Sequence, residues 1–133
     1  MEKERETLKI LIVDDSEIDI DILEEILKQL GFQNIIKAKS GKEAVELAAK
    51  HLPDLIFLDI MMPGLDGGGV KERLNENAET RDIPTIFISS IIKRKEQRRL
   101  GELTGGRILL AKPFSPDDIS KTIDIVLGKT PDS

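Results

Sequence analysis

The sequence lacks cysteine and tryptophan, and it has a single histidine among its 133 residues. Without cysteine the chain can form no disulfide, thiolate zinc site or cysteine nucleophile, and without tryptophan its fluorescence cannot report a change of state. No uninterrupted apolar run approaches the roughly 18 residues of a membrane-spanning helix, so the sequence predicts no bilayer span. The amino-terminal run MEKERETLK is charged where a secretory signal needs apolar residues, which predicts a cytoplasmic protein.

The chain is acidic overall, with 25 acidic and 20 basic side chains and a formal net charge of −5. This balance disfavours non-specific binding to nucleic acid, whose phosphates repel a net negative protein. The length suits one domain that buries a stable core without metals or disulfides. We therefore expect a single domain over residues 1–133, with its core at 8–127 and polar ends at 1–7 and 129–133.

Short apolar runs alternate along the chain with longer segments of helical period. The runs at 8–13, 55–58 and 85–88 are nearly continuous in Ile, Leu, Val and Phe. Such runs are typical of parallel strands that helices cover on both faces of a sheet. The sequence predicts five strands, at Leu8 to Val13, Asn34 to Ala38, Leu55 to Leu58, Thr85 to Ile88 and Arg107 to Ala111.

Helical segments lie between these strands. The third begins around Gly67, and its three consecutive glycines predict a frayed first turn, because each costs about 0.8–1 kcal/mol relative to alanine. A fourth helix is expected near Lys93 to Leu103 and a fifth after the cap residue Ser115. The first helix spans Ser16 to Leu30 and the second begins at Ser40; the inward positions expected in the first are Ile22, Leu23, Ile26, Leu27 and Leu30.

Strand and helix alternate five times, which predicts an α/β fold with a doubly wound parallel sheet and right-handed crossovers. We expect the flavodoxin-like (βα)5 arrangement, with strand order 2-1-3-4-5 and helices on both faces of the sheet. In such sheets ligands bind at the carboxyl ends of the strands, where the strand order reverses. The chemistry is therefore expected at that rim.

Three carboxylates are predicted to meet at this rim. Asp14 and Asp15 follow the first strand and Asp59 follows the third, which is its neighbour in the predicted order. Two unit charges ~5 Å apart repel by roughly 3 kcal/mol at an effective dielectric of ~20, which a divalent cation would relieve. Oxygen ligands without histidine or cysteine nearby favour Mg²⁺.

Ser89 and Lys112 directly follow the predicted fourth and fifth strands. A carboxylate nucleophile, a hard cation, a hydroxyl group and a lysine ammonium can together position and neutralise a transferring phosphoryl group. Each residue also has a simpler interpretation, since Asp14 and Asp15 could cap the next helix and Asp59 could belong to a turn. Their coincidence at one rim favours the shared site.

Several motifs resemble the receiver domain of two-component response regulators. They are ILIVDDS, the loop from Asp59 to Gly67, PTIFISS and the triplet Lys112-Pro113-Phe114, and the likeness covers about residues 8–127. The resemblance implies that Asp59 accepts a phosphoryl group from a histidine kinase or a histidine phosphotransfer protein. It also implies a cis peptide bond between Lys112 and Pro113, as in the family.

The same resemblance implies roles for the other residues of the rim. Asp15 and Asp59 would bind Mg²⁺ together with the backbone carbonyl of Met61, and Asp14 would hold a coordinating water. Ser89 and Lys112 would bind phosphoryl oxygens. The family couples phosphorylation to an aromatic residue three places before the lysine; that position is Leu109 here, so the implied switch positions are Ser89 and Leu109.

Two other functions remain open at this level. A Mg²⁺-dependent phosphohydrolase could use Asp59 as nucleophile, but it commonly needs a second aspartate two residues on, where this chain has Met61. A receiver acting only as an unphosphorylated scaffold is the other alternative. The basic run from Lys93 to Arg99 favours an acidic protein partner over nucleic acid, and phosphorylation-dependent homodimerisation stays possible.

Overall fold

The structure, a computed structural model, describes residues 5–89, 109–113 and 115–128. The predicted helix at 93–103 and the first two residues of the predicted fifth strand lie outside these residues. The strands are β1 (Lys9–Val13), β2 (Asn34–Ala38), β3 (Leu55–Asp59), β4 (Thr85–Ser89) and β5 (Leu109–Ala111), and the α-helices are α1 (Glu17–Gln29), α2 (Gly41–His51), α3 (Gly67–Asn75) and α4 (Pro116–Val126).

All four strand pairings are parallel, and the strand order is β2-β1-β3-β4-β5. The predicted fold class and strand order are therefore confirmed. The pairing of Ile12 with Phe57 aligns the ends of β1 and β3, and the pairing of Ser89 with Ala111 aligns those of β4 and β5. The residues that follow these four strands consequently share one rim. No helix within the described ranges is long and apolar enough to cross a membrane.

The core has two layers, one on each face of the sheet, because successive strand residues point to opposite faces. Ile10 and Ile12 of β1 pack in the layer that α1 and α4 cover. Leu11 and Val13 pack in the layer under α2 and α3. Every residue of β3 and β4 is buried, as the continuous apolar runs predict for strands covered on both faces.

One prediction for the face of α1 is wrong. The buried residues are Ile20, Leu23, Ile26 and Leu27, whereas Ile22 is 49% exposed. Ile18 is exposed as well. Isoleucines at 18, 20 and 22 make two apolar stripes possible, and packing against the sheet selects the one that contains Ile20.

Side-chain caps begin the helices as the sequence predicts. The Ser16, Ser40 and Ser115 side chains accept hydrogen bonds from backbone N–H groups three residues on. Asp66 caps α3 in the same way and accepts from the Gly69 N–H at 2.9 Å. The helix begins at Gly67, directly after this cap, which gives the glycine-rich first turn a side-chain acceptor.

Two close contacts fix the loop between β3 and α3. A Cβ on Gly67 would lie 2.6 Å from the Asp59 carbonyl oxygen, and a Cβ on Gly41 would lie 2.3 Å from the Leu65 carbonyl oxygen. Only glycine permits both approaches. The loop after Asp59 is therefore held between its own helix and the start of α2.

Arg5 joins the amino-terminal segment to the carboxyl ends of α1 and α4. Its guanidinium donates to the Leu30 carbonyl at 2.7 Å and lies 5.1 Å from the centre of the Phe32 ring. It also forms a 3.8 Å ion pair with Asp124 of α4. A residue expected in a polar end thus connects the ends of two helices.

Candidate functional site

The three acids predicted to meet do lie together. Single carboxylate oxygens of Asp14, Asp15 and Asp59 all fall within 4.8 Å of one another. Asp14 continues β1, and its backbone N–H donates to the Ala38 carbonyl of the neighbouring strand at 3.1 Å. Asp59 is the last residue of β3. Asp14 and Asp59 are buried, while Asp15 faces solvent, so the cluster opens to the surface on one side.

Lys112 reaches this cluster from the end of β5. Its Nζ lies 2.6 Å from Asp14 Oδ2 and 3.6 Å from Asp59 Oδ2, and its side chain is only 11% exposed. The Lys112 backbone N–H donates to the Ser89 carbonyl at 2.8 Å, which ties the two strand ends together. The predicted cis peptide bond between Lys112 and Pro113 is confirmed.

Sequence analysis missed one member of the site. Asp19, in the first turn of α1, places Oδ2 2.8 Å from Lys112 Nζ. The signal in the sequence was an acidic residue three places after the cap residue Ser16, in the helix that starts at this rim. That position is equally typical of a residue that interacts favourably with the helix dipole, so the pattern alone does not reveal the lysine contact.

The charges of the cluster oppose each other. Burial and the neighbouring Asp14 carboxylate raise the pKa of Asp59 from 3.8 to about 6, although the Met61 N–H and Lys112 favour its ionised form. Burial alone would lower the pKa of Lys112, but its hydrogen bonds to Asp14 and Asp19 and the charge of Asp59 raise it instead. The lysine is therefore held as a cation among carboxylates.

The remaining predicted residues surround Asp59. The Met61 backbone N–H donates to Asp59 Oδ1 at 3.0 Å, and the Met61 side chain is 58% exposed. Ser89 is buried at the end of β4. Leu109 is half-buried and packs against the layer under α2 and α3, so the position that an aromatic residue would fill is occupied by a core-packing leucine.

The donor set fits a hard divalent cation. Three carboxylates converge, two of them are buried, and they carry more negative charge than Lys112 neutralises. No histidine or cysteine belongs to the cluster, which disfavours softer transition metals. Asp15 is exposed to solvent, and Mg²⁺ usually keeps several water ligands beside its protein ligands.

Comparison with known proteins identifies this arrangement. Residues 10–124 match the family model described as the response regulator receiver domain. The chain belongs to this family. The receiver domain accepts a phosphoryl group as part of signalling and is not an enzyme in the ordinary sense, and its acidic cluster is typical of a magnesium site.

Individual receivers are similar over nearly their whole length. Protein PilH of Pseudomonas aeruginosa is 38% identical over 121 residues, covering 90% of this chain and 98% of its own. The polar-differentiation response regulator DivK of Brucella ovis is 31% identical over 122 residues, covering 92% and 98%.

Solved receiver structures have the same fold. The chemotaxis protein CheY4 of Vibrio cholerae superposes with a TM-score of 0.78 at 27% identity, covering 90% of this chain and 98% of its own. A response regulator of Desulfuromonas acetoxidans superposes with a TM-score of 0.77 at 32% identity, covering 91% and 97%. The resemblance predicted from the motifs is confirmed, and a histidine kinase is the class of partner that the family implies.

Proposed function

We propose that this receiver accepts a phosphoryl group on Asp59, from a histidine kinase or a histidine phosphotransfer protein, and thereby controls partner binding in a two-component phosphorelay. One observation carries the proposal. A buried carboxylate at the end of β3 lies within 3.6 Å of a lysine ammonium and within 4.8 Å of two further carboxylates. The nucleophilic carboxylate, the lysine ammonium and the metal-binding carboxylates therefore lie around one point.

The two oxygens of Asp59 have different environments. Oδ1 accepts the Met61 N–H, whereas Oδ2 faces the Lys112 ammonium. We assign Oδ2 as the nucleophile. It forms a bond to phosphorus while the bond between phosphorus and the donor histidine nitrogen breaks; the imidazole keeps that electron pair and takes up a proton. The product is an acyl phosphate on Asp59 and a free histidine on the donor.

Mg²⁺ would be held by Asp15, Asp59 and the Met61 backbone carbonyl, with Asp14 holding a coordinating water. When bound, the ion supplies positive charge that offsets the charge of the phosphoryl oxygens. Burial of Asp59 among other acids supports this assignment, since the metal-free cluster keeps one carboxyl pKa near 6. A bound cation would lower that pKa and so favour the ionised nucleophile.

Ser89 and Lys112 are proposed to bind the phosphoryl oxygens. Ser89 ends β4 and Lys112 follows β5 at this rim, and a backbone hydrogen bond of 2.8 Å links them. A new anion on Asp59 attracts the ammonium and offers acceptors to the serine hydroxyl. We propose that movement of Ser89 and repacking of Leu109 transmit the change, because Leu109 joins the rim to the core layer under α2 and α3.

Three further proposals concern the cellular location of the chain, its protein partner and its oligomeric state. We propose that it acts in the cytoplasm, where family membership would place its kinase. The segment 93–99 has five basic residues and one acidic residue, which supports an acidic protein partner rather than direct contact with nucleic acid. Phosphorylation-dependent homodimerisation is a further proposal, testable by sedimentation of the phosphorylated chain.

The central test measures phosphorylation by intact mass, since the chain has no tryptophan for fluorescence. Incubation with Mg²⁺ and phosphoramidate should add about 80 Da to the wild type. Asp59→Asn should add nothing, while the exposed control Asp82→Asn should match the wild type. Modification of Asp59→Asn at the wild-type rate, or an unmodified wild type, would contradict the proposal.

A further inference from the structure

We infer that Asp19 is a positioning residue, which holds the Lys112 ammonium back from Asp59 before phosphorylation and releases it afterwards. The inference rests on the function proposed above and extends it to a residue on α1. It follows from three distances around one nitrogen atom. Lys112 Nζ lies 2.6 Å from Asp14, 2.8 Å from Asp19 and 3.6 Å from Asp59.

The ammonium is engaged away from the nucleophile. A lysine has three N–H donors, and Lys112 donates two of them, one to Asp14 Oδ2 and one to Asp19 Oδ2. The 3.6 Å separation from Asp59 exceeds the 2.7–2.9 Å typical of a charge-assisted hydrogen bond. One N–H donor therefore remains for a phosphoryl oxygen on Asp59, but the two carboxylates that already share the charge of the ammonium compete with that oxygen for it.

Asp19 is the contact that can be released more easily. The Asp14 side chain is 1% exposed and its other oxygen accepts the Ser16 N–H, so the surrounding structure fixes it. The Asp19 side chain is 35% exposed and has no other hydrogen-bond or ion-pair partner within the described ranges. When the ammonium leaves, water can solvate the Asp19 carboxylate, whereas Asp14 would remain charged and buried.

Asp19 thus competes with the incoming phosphoryl group for one cation. Neutralising it with an isosteric side chain removes the competitor but keeps the helix cap, because Ser16 bonds to the Asp19 backbone N–H rather than to its side chain. The lysine is then available to the phosphoryl oxygens at lower cost. This predicts faster phosphorylation in an Asp19→Asn variant, although a favourable ion pair has been lost.

The experiment measures initial rates of phosphorylation by phosphoramidate with saturating Mg²⁺, followed by intact mass. Asp59 Oδ2 forms the bond to phosphorus, the bond from phosphorus to nitrogen breaks, and the leaving amine takes up a proton and departs as ammonia. We expect Asp19→Asn to react roughly two- to fivefold faster than wild type, the size expected for a partly exposed ion pair. Asp19→Glu, which keeps the charge, should return towards the wild-type rate.

Asp21→Asn is the matched control, since it removes the same charge from an exposed position of α1 two residues away. Its rate should stay near that of wild type. Rates at about 0.05 M and 0.5 M salt separate the direct contact from long-range repulsion of the anionic donor, because salt screens only the latter strongly. Far-UV circular dichroism and urea unfolding check that every variant is folded.

Each outcome decides the inference. Acceleration that persists in high salt and is confined to Asp19→Asn supports it. Equal rates for wild type and Asp19→Asn, an equal effect of Asp21→Asn, or an effect abolished by salt overturns it. A purely structural role would lower the stability of Asp19→Asn without raising the rate, and that result also overturns it. A wild type that never reacts rejects the proposed function itself, and the inference with it.

Discussion

At the scale of single residues, the site combines groups that would be unfavourable alone. Asp59 is 5% exposed and has a second buried carboxylate beside it, so its ionised form is stabilised mainly by one backbone N–H and one lysine. The fold therefore bears a free-energy cost at neutral pH in the metal-free state. That cost can be measured, because it depends on the protonation of a single group.

The pH dependence of stability has a defined sign. A carboxyl whose folded pKa lies above its unfolded value binds its proton more tightly when folded. For Asp59 the contribution to stability is fully present below about pH 4 and is lost as the pH rises through about 6. Asparagine at this position cannot ionise, so it avoids the loss.

Asp59→Asn should accordingly stabilise the metal-free protein more at pH 7.5 than at pH 4.5. We expect the difference between the two gains to be about 2 kcal/mol in the free energy of unfolding. Urea denaturation with a chelator at both pH values measures it, with Asp82→Asn as control. A gain of the same size at both pH values would contradict the pKa assigned to Asp59.

At the scale of helices and loops, the sequence predicted the bounds of the strands better than the contacts between side chains of different elements. The observed strands differ from the predicted ones by one residue at an end of β1, β3 and β4, since apolar runs and flanking polar residues mark strand ends locally. The face of α1 was misjudged at Ile22, because its rotation depends on the packing of the sheet. The Asp19 contact depends on the same rotation and on β5, which lies over 90 residues away along the chain.

Gly41, the first residue of α2, and Gly68, in the first turn of α3, provide a matched pair for a stability test. A Cβ at position 41 would meet the Leu65 carbonyl at 2.3 Å, whereas at position 68 its nearest neighbour is Asp66 Oδ1 at 3.6 Å. Gly41→Ala should lower the free energy of unfolding by about 2–3 kcal/mol through overpacking. Gly68→Ala should be neutral or stabilising by up to about 1 kcal/mol, because alanine favours helix.

Urea denaturation of the two glycine variants, each compared with wild type, checks this pair. A similar loss in both variants would show that helix propensity or the unfolded state, and not the contact with Leu65, determines the effect.

The contacts of Arg5 make a second prediction at this scale. Arg5→Ala removes a charged hydrogen bond to the Leu30 carbonyl and the stacking on Phe32, so it should lower the free energy of unfolding by about 1–2 kcal/mol. Lys28→Ala removes an exposed cation from the same end of α1, whose 3.8 Å pair with Glu24 contributes little. Equal effects of both variants in thermal unfolding would exclude the Arg5 contacts as the cause.

At the scale of the whole molecule, the acidic rim couples ligand binding to stability. A ligand that binds only the folded state at one hundred times its dissociation constant raises the free energy of unfolding by about 2.7 kcal/mol. Strand order alone brings the three acids to one rim, which is why sequence motifs and strand order sufficed to predict the cluster. The motifs gave no information on how far each side chain stands from Lys112.

Magnesium should therefore stabilise the wild type in a concentration-dependent way. Asp15→Asn removes the exposed acid of the cluster, so we expect metal-free stability within about 0.5 kcal/mol of wild type and a loss of most of the Mg²⁺ effect. Thermal unfolding at increasing Mg²⁺ concentration measures this, with Asp21→Asn as control. Undiminished stabilisation of Asp15→Asn would exclude this residue as a ligand.

The position of Arg5 bears on how these experiments are set up. Arg5 contacts the carboxyl end of α1. Helix and strand run in opposite directions, so this contact lies at the end of the sheet opposite the phosphoacceptor. An affinity handle or a sensor-chip linkage attached through the amino terminus would consequently leave the acidic rim facing the solution. Donor proteins could then approach the immobilised receiver without meeting the support.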